Sequence, residues 1–301
     1  MERKINKVGK NTLTVSLPAS WVRESNITAE DKLTVTIEKD RLIFSKELKK
    51  SSKSLTLHLD KSSYNSKIII QAYKKGFDEI KIFTTSATVI KDITHVLGVM
   101  VGFEIIEQTS DYILCKNIAI KLDDDISKLM NRNIYITMEL IETMIDALEQ
   151  ENESLLDNII EAEHINNRLC LLSERILIKN GYLDNYSSTP FAMVFFYKME
   201  NVADNFKLIA SYLKDHNTCI SEFELLNICR EISEYKNLFI DVFLQKKDIK
   251  WELIESNRKE LINKINTIST KKANISIVLT HLSHVVNDLY DLCGISIAMK
   301  L

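Results

Sequence analysis

Residues 192–213, AMVFFYKMENVADNFKLIASYL, carry the clearest structural signal in the chain. Apolar side chains recur in this stretch every three or four residues, at Ala192, Phe195, Met199, Val202, Phe206, Ile209 and Leu213. That spacing places them on one side of an α-helix, where they pack against neighbouring helices. The stretch therefore predicts a long helix, over residues 190–214, inside a helical bundle.

Similar helix-sized blocks fill the chain from about Ile126 onward. They are predicted at 126–151, 154–180, 190–214, 221–246, 249–270 and 273–299. The 301 residues include only 6 Gly and 2 Pro, which suits long uninterrupted helices. The blocks form two similar groups of three. We therefore predict a duplicated three-helix bundle over residues 124–301, with repeats at about 124–215 and 220–301.

Residues 1–48 show the period-two alternation of β-strands instead. Strands are predicted at Thr12–Leu17, Leu33–Glu38 and Arg41–Phe44, with a two-residue turn at Lys39-Asp40. Pro18 is well placed to begin a short helix over Ala19–Ser25. The polar run KKSSK at residues 49–53 predicts a linker to the next domain.

Residues 54–118 alternate between strand and helix patterns. The elements are predicted at Leu55–Leu59 (strand), Tyr64–Lys75 (helix), Glu79–Phe83 (strand), Ala87–Val101 (helix), Glu104–Glu107 and Tyr112–Cys115 (strands). Gly76 is placed to end the first of these helices. The order βαβαββ predicts a small α/β or α+β domain. The whole chain is then a mainly α protein of three domains.

Charge is divided unevenly along the chain. The net charge is -3, but residues 1–50 hold 11 Lys or Arg against 7 Asp or Glu and carry +4. The remaining residues hold 28 basic and 35 acidic side chains and carry -7. The chain as a whole is therefore not a basic nucleic-acid binder, whereas its N-terminal part is a basic module on an acidic body.

The cysteines and the apolar runs indicate a reducing compartment and no membrane insertion. The five cysteines are widely spaced without a CxxC pair: Cys115, Cys170, Cys219, Cys229 and Cys293. This pattern favours buried free thiols over a disulfide framework or a metal-binding cysteine motif. The first ten residues lack an apolar stretch, and runs such as Val96–Phe103 are far below the roughly 20 residues that span a bilayer. We expect a cytoplasmic protein.

The N-terminal residues also carry a family resemblance. The spacing of Arg3–Ile5, Val8–Lys10, Leu13–Val22 and the two later strands resembles the SpoVT/AbrB family over about 45 residues. Glu30 departs from it, since the family often has Gly before the Asp. The resemblance implies a swapped-hairpin β module that dimerises and binds DNA. The residues expected to contact DNA phosphates are Arg3, Lys4, Lys7, Lys10 and Arg23. The alternative is a solvated charged edge that discourages strand aggregation.

Two of the helical blocks are similar to segments of PhoU-type regulators, which are two repeated three-helix bundles. The segments are Ile159–Leu169 and Phe196–Asn205. In that family, acidic ExxxD pairs on neighbouring helices hold metal ions. The resemblance therefore implies a divalent or trivalent metal ion in the first repeat, held by Glu163, Asn167, Glu200 and Asp204. Asn replaces Asp at one position, although an amide oxygen still ligates a hard cation. A polar, hydrogen-bonded bundle seam is the alternative.

The second repeat lacks the matching acidic pair. Ser283 and Asn287 stand in its place, so we expect the second metal site to be lost. His281 and His284 are three residues apart and share a helix face. Without nearby Cys or Glu residues, they are more typical of ordinary helix-surface or seam histidines than of a metal site.

Other chemical motifs are weak or absent from the sequence. Glu161 and His164 form an ExxH pair, as in di-iron carboxylate bundles, but no second ExxH with the right context occurs. The sequence contains no GxSxG, Walker loop, GxGxxG or HExxH motif. We therefore predict that the protein is not an enzyme.

Taken together, the three regions resemble archaeal-type PhoU-domain proteins with an N-terminal AbrB module. This resemblance implies a cytoplasmic homodimer that regulates phosphate uptake or metabolism by binding DNA. Its helical half would sense a signal or contact a phosphate transporter or signalling protein. In the alternative interpretation, the AbrB-like part only dimerises the chain, and the bundle docks such a partner without any DNA binding.

Overall fold

The structure is a computed structural model that describes residues 2–38, 41–46, 53–119, 125–182, 187–216, 219–244 and 251–300. Within these ranges the chain is mainly helical, with small β-sheets, as the sequence predicts. Its contacts divide into two compact units, residues 1–52 and residues 53–301.

The first unit consists of two antiparallel hairpins and one short helix. The elements are β1 (Asn6–Val8), β2 (Thr12–Thr14), α1 (Ala19–Glu24), β3 (Leu33–Glu38) and β4 (Arg41–Lys46). β1 pairs with β2, and β3 pairs with β4. The predicted turn at Lys39-Asp40 and most of the predicted linker, residues 49–52, lie outside the described residues.

The first hairpin differs from the prediction. The predicted strand Thr12–Leu17 ends at Thr14, and β1 was not predicted. β1 has no alternating apolar pattern of its own and forms by pairing with β2, with Lys7 opposite Leu13. Gly9 joins the two strands with a φ of 67°, a left-handed backbone conformation that glycine adopts without steric strain.

The second unit begins with an α/β layer. Its elements are β5 (Ser54–His58), α2 (Ser66–Lys74), β6 (Glu79–Phe83), α3 (Ala87–Leu97), β7 (Phe103–Gln108) and β8 (Tyr112–Asn117). The predicted order βαβαββ is therefore present. The four strands form one sheet in the order β5-β6-β8-β7, in which only the β5-β6 pair is parallel.

Capping residues and glycines set the bounds of the two helices in this layer. The side chains of Asn65 and Ser86 accept hydrogen bonds from the first turns of α2 and α3. The prediction that α3 extends to Val101 was wrong, because the helix ends at Leu97 and Gly98 is its C-cap. Buried apolar side chains of the sheet, such as Ile80 and Ile113, belong to one core with those of α2 and α3.

The rest of the second unit is a helical bundle. Its helices are α4 (Ile126–Glu149), α5 (Glu153–Asn180), α6 (Thr189–Asp215), α7 (Phe223–Phe243), α8 (Trp251–Ser269) and α9 (Ser276–Ala298). These bounds follow the six predicted blocks within a few residues. The block predicted from residue 273 opens with a single 3-10 turn, Ala273–Ile275, before α9 begins.

α6 lies at the centre of the bundle and packs against α4, α5 and α9. All seven apolar residues of the predicted stripe on α6 are buried, each with 1% or less of its surface exposed. They belong to one core that includes buried side chains from all six helices. α5 also contributes Leu171 to the core of the α/β layer, so the layer and the bundle pack together within the second unit.

Candidate functional site

The five basic residues predicted to contact DNA are all exposed in the first unit. Arg3 and Lys4 precede β1, Lys7 lies on β1, and Lys10 lies in the turn that follows it. Arg23 lies in the last turn of α1, where its Nε donates a hydrogen bond of 3.3 Å to the carbonyl oxygen of Ala19. Four of the five cations are therefore grouped on and beside the first hairpin.

The first unit has no buried residue among those whose exposure is described. Seven large apolar side chains on or near its strands are more than 40% exposed: Ile5, Val8, Leu13, Val15, Val35, Ile37 and Leu42. An isolated soluble domain folds by burying such side chains, because their transfer out of water is the main favourable contribution to folding. The strands of this unit are therefore incomplete as a folding unit without further contacts.

In the second unit, the four predicted metal ligands lie between α5 and α6. Glu163 and Asn167 are on α5, and Glu200 and Asp204 are on α6. Each pair is four residues apart, so its two side chains leave one side of their helix. Glu174 lies on α5 as well, 11 residues after Glu163. We call Glu163, Asn167, Glu174, Glu200 and Asp204 the acidic seam.

Glu163 is the most enclosed carboxylate of the acidic seam, with no exposed surface. Its Oε1 accepts hydrogen bonds from Nδ2 of Asn167 and from Nζ of Lys207, the latter at 3.0 Å. Its Oε2 accepts no hydrogen bond and lies 3.3 Å from Nδ1 of His164. His164 of the ExxH motif therefore contacts Glu163, the residue beside it, and Glu161 is exposed.

Burial and mutual repulsion favour the protonated forms of two carboxyl groups in the acidic seam. Burial raises the pKa of Glu200 to about 7, assisted by the negative charges of Glu174, Asp204 and Glu163 and opposed by Lys74. Burial raises the pKa of Asp204 to about 6, assisted by a hydrogen bond to Glu163 and by its charge. Each group favours its uncharged form because water is excluded and like charges are near.

At its Glu174 end, the acidic seam forms an ion pair with a lysine of the α/β layer. Nζ of Lys74, at the end of α2, lies 2.5 Å from Oε2 of Glu174. Glu174 is almost fully buried, and burial raises its pKa although Lys74 opposes the shift. The acidic seam therefore contains four carboxyl groups and only two neighbouring ammonium groups, those of Lys74 and Lys207.

A neutral polar network lies beside the acidic seam, between α4 and α5. Nδ2 of Asn166 donates to Oγ1 of Thr137 at 2.6 Å, and Nδ2 of Asn133 contacts Sγ of Cys170 at 3.2 Å. Sγ of Cys170 in turn contacts Oδ1 of Asn166 at 3.3 Å. All four residues are buried, and their hydrogen bonds offset the free-energy cost of placing polar groups in the core.

The oxygen atoms of the four predicted ligands are suited to a hard cation in chemistry, and two of them lack hydrogen-bond donors. These are Oε2 of Glu163 and Oδ1 of Asn167, both buried. Hard cations take carboxylate and amide oxygens as ligands. The side chains do not stand in a closed ligand shell, since no group of three His, Cys, Asp or Glu residues in the described ranges is arranged to hold a metal ion.

In the predicted second repeat, the positions that correspond in sequence to the acidic pair hold Ser283 and Asn287. Oδ1 of Asn287 accepts a 2.9 Å hydrogen bond from Arg258, and its Nδ2 donates to the carbonyl oxygen of Ser283. Both polar groups of the Asn287 amide are therefore engaged within the protein. A cation could bind there only by displacing the guanidinium of Arg258.

Of the two histidines of α9, His281 contacts α6 and His284 is exposed. Nδ1 of His281 lies 2.8 Å from Oδ1 of Asn205, and the rings of His281 and His284 pack edge to face. Nearby, Nζ of Lys198 binds both Asp288 and Asp291 at 2.7 Å. These contacts are consistent with the predicted structural role of the histidines.

Three residues of this region were missed by the sequence reasoning: Lys74, Glu174 and Lys207. Glu174 and Lys207 lie on the same helix faces as the predicted ligands, 11 residues after Glu163 and 3 residues after Asp204. Extending the helical periodicity could have found them. Lys74 lies in another predicted domain, and no local pattern connects it to α5.

Comparison of the chain with protein-family models, with curated proteins and with solved structures finds no match. Among the described residues, no helix combines the length and apolar character needed to cross a membrane.

Proposed function

We propose that this protein is a cytoplasmic, homodimeric DNA-binding regulator of phosphate uptake or metabolism. In this proposal the first unit dimerises and binds DNA, and the helical bundle senses a signal or docks a partner. The observation that carries the proposal is the first unit, in which exposed apolar strands stand beside exposed basic residues. The resemblances to the SpoVT/AbrB and PhoU-type families supply the biological setting.

Dimerisation is supported by the missing core of the first unit. Burying seven large apolar side chains would contribute on the order of 1.5–3 kcal/mol for each one that becomes fully enclosed. A second copy of the same unit offers an equal set of apolar strands, and a twofold contact would cover both sets at once. The proposed dimer therefore provides the core that one copy lacks.

DNA binding is supported by the position of the cations. Lys7 and Lys10 lie on and beside the first hairpin, and in a dimer each cation occurs twice. Such exposed ammonium and guanidinium groups bind phosphates and release condensed counterions, so the affinity falls steeply with salt. The net charge of -7 on the remaining residues directs a polyanion to the first unit.

A gel-shift titration of the full chain on duplex DNA tests this part. We expect binding at 50 mM salt that weakens strongly by 200 mM salt, and loss of binding in the double variant Lys7→Glu/Lys10→Glu. The matched control is Lys91→Glu/Lys128→Glu, which makes the same charge change at exposed residues of α3 and α4. No shift at 50 mM salt, or equal binding by the Lys7/Lys10 variant, would refute DNA binding and favour an interaction module.

We also propose that the acidic seam binds a divalent cation in the folded bundle. Glu163, Asn167, Glu200 and Asp204 would hold it, and the cation would neutralise carboxyl groups that otherwise retain protons. The support is the excess of carboxyl groups over ammonium groups and the two buried ligand oxygens without donors. Metal analysis and Mn²⁺ titration of the purified protein test it, and metal content unchanged in Glu200→Ala and Asp204→Ala would refute it.

The assignment of phosphate as the regulated nutrient derives from the resemblance of the helical segments. Genome-wide occupancy mapping at high and low phosphate tests it directly. Enrichment near phosphate transport genes that changes with phosphate supply is the expected result. A flat occupancy profile would contradict the assignment.

A further inference from the structure

The C-terminal turns of α5 pack against the α/β layer at the end of α2. The guanidinium of Arg175, 1% exposed, donates to the carbonyl oxygens of Tyr73 and Phe77 at 2.6 and 2.8 Å, and to Oδ1 of Asp78 at 2.6 Å. It also stacks over the ring of Tyr73, 4.8 Å from its centroid. All of these partners lie in the last turn of α2 or directly after it, so the end of α2 is the point where the layer is fixed to α5.

The same turn of α2 places the ammonium group of Lys74 beside the acidic seam. Lys74 is the residue after Tyr73, and its ammonium group pairs with Glu174 at 2.5 Å. Glu174 directly precedes Arg175, so the two contacts are adjacent on α5. The positive charge of Lys74 also acts on Glu200 of α6, where it lowers the pKa that burial raises. Lys74 therefore interacts with both helices of the seam from a third element.

We infer that Lys74 is a tethered counter-ion that couples the charge of the acidic seam to the docking of α2 on the bundle. When the seam is negative, it attracts Lys74 and holds the end of α2 in place. A cation bound in the seam reduces this attraction, and α2 is held less tightly. Thermodynamic reciprocity then requires that firm docking of α2 weakens cation binding by the same factor.

The inference has two consequences, and only the first rests on the proposed cation function. In the full chain, removal of the Lys74 charge should strengthen Mn²⁺ binding, because a competing cation is lost. In metal-free protein at pH 8, where Glu200 is mostly ionised, removal of the Glu200 charge should loosen α2, because the negative charge that attracts Lys74 is reduced.

Calorimetric titration with MnCl₂ tests the first consequence. We expect Lys74→Met to bind Mn²⁺ at least about fivefold more tightly than the wild type, the lower end of common coupling strengths. The charge-retaining Lys74→Arg should bind within about twofold of the wild type. Lys179→Met is the matched control, because Lys179 binds Asp78 at the same joint without contacting the seam. Unchanged or weaker binding in folded Lys74→Met would overturn the inference.

Hydrogen exchange of the metal-free full chain tests the second consequence. We expect the amides of α2 to exchange about threefold faster or more in Glu200→Gln, the size of effect that a partly screened ion pair produces. The control Glu161→Gln removes an exposed charge of α5 and should leave α2 unchanged. Unchanged α2 exchange in Glu200→Gln would overturn the coupling.

The two experiments separate the inference from the proposed cation function. If the wild type binds no Mn²⁺ but Glu200→Gln loosens α2, the cation function fails and the coupling stands. If the wild type binds Mn²⁺ and neither variant changes binding or exchange as expected, the cation function stands and the coupling fails.

Discussion

Nη2 of Arg175 lies 2.6 Å from Oδ1 of Asp78, although 97 residues separate them in the chain. Burial alone would raise the pKa of Asp78, but hydrogen bonding and charge from Lys179 and Arg175 hold it below its usual value. The contact joins the α/β layer to the bundle through one buried guanidinium. This geometry makes the joint sensitive to the shape of Arg175 and not only to its charge.

Arg175→Met is expected to lower the free energy of unfolding by about 3–5 kcal/mol. The substitution removes a buried cation together with its hydrogen bonds to the carbonyl oxygens of Tyr73 and Phe77 and to the carboxylate of Asp78, which keeps only Lys179 as a charged partner. Lys179→Met removes the other cation on Asp78 from a site that is 25% exposed, and it should cost about 1 kcal/mol or less. Urea unfolding of both variants measures the difference. Equal losses would show that the buried guanidinium has no special role.

The close packing at this joint also explains the glycine that ends α2. Gly76 has a φ of 88°, and a Cβ at that position would meet Cγ of Lys179 at 3.0 Å. The sequence predicted that Gly76 ends the helix, because glycine is common just after the last residue of a helix. Its contact with α5 could not be predicted, since nothing in the local pattern identifies the helix that packs there.

Much of the fold could be predicted because periodicity is a local property. The stripe from Ala192 to Leu213 identified α6 and its buried face, and the other helices followed from the same spacing. The errors occur where a neighbour decides the structure. β1, for example, forms only because β2 pairs with it.

The candidate site was predicted in part. The four-residue spacing of Glu200 and Asp204 placed both side chains on one face of α6, and the structure puts that face next to Glu163. The positions of Lys74 and Lys207 in the seam were not predicted, because their effect on the carboxylates depends on how helices pack. Whether a buried carboxyl group is charged depends on such neighbours and on burial, neither of which a single stretch of sequence contains.

The raised pKa values predict that high pH weakens the bundle through the seam. Glu200 has a pKa of about 7 in the folded chain against an ordinary value of 4.5, so the folded state binds more protons than the unfolded state between these values. The stabilisation from the protonated group is complete below about pH 4.5 and is lost as the pH rises through 7. Glu200→Gln keeps the uncharged shape at every pH and should avoid this loss.

We therefore expect Glu200→Gln to match the wild type at pH 5 and to be more stable at pH 8, by on the order of 2 kcal/mol. Urea unfolding in buffers with a chelator measures both values, and the chelator removes any contribution from bound cations. Glu161→Gln, at an exposed position of α5, should show no such pH-dependent gain. An equal stability difference at both pH values would contradict the assignment of this titration to Glu200.

The five cysteines are expected to react slowly with thiol reagents in the folded protein. All five are buried free thiols. Burial raises the pKa of Cys115, Cys229 and Cys293 to about 12 and that of Cys170 well above its usual value. The reactive thiolate of these four cysteines is therefore scarce at pH 8, and burial limits the access of the reagent to all five. A colorimetric thiol assay should detect less than one thiol at early times and five in guanidinium. Rapid reaction of one thiol in the native protein would contradict this expectation.

The exposed strands of the first unit give the most direct prediction about assembly. Leu13 and Ile37 are 66% and 76% exposed in a single chain, although both lie on strands and carry large apolar side chains. If a second copy covers them, a carboxylate at either position becomes buried without a partner, which strongly opposes association. We expect Leu13→Asp/Ile37→Asp to sediment as a monomer at concentrations where the wild type is a dimer. The control Tyr135→Asp changes a similarly exposed apolar residue of α4, 69% exposed, and should remain dimeric. A double variant that sediments like the wild type would show that these strands do not form the dimer contact.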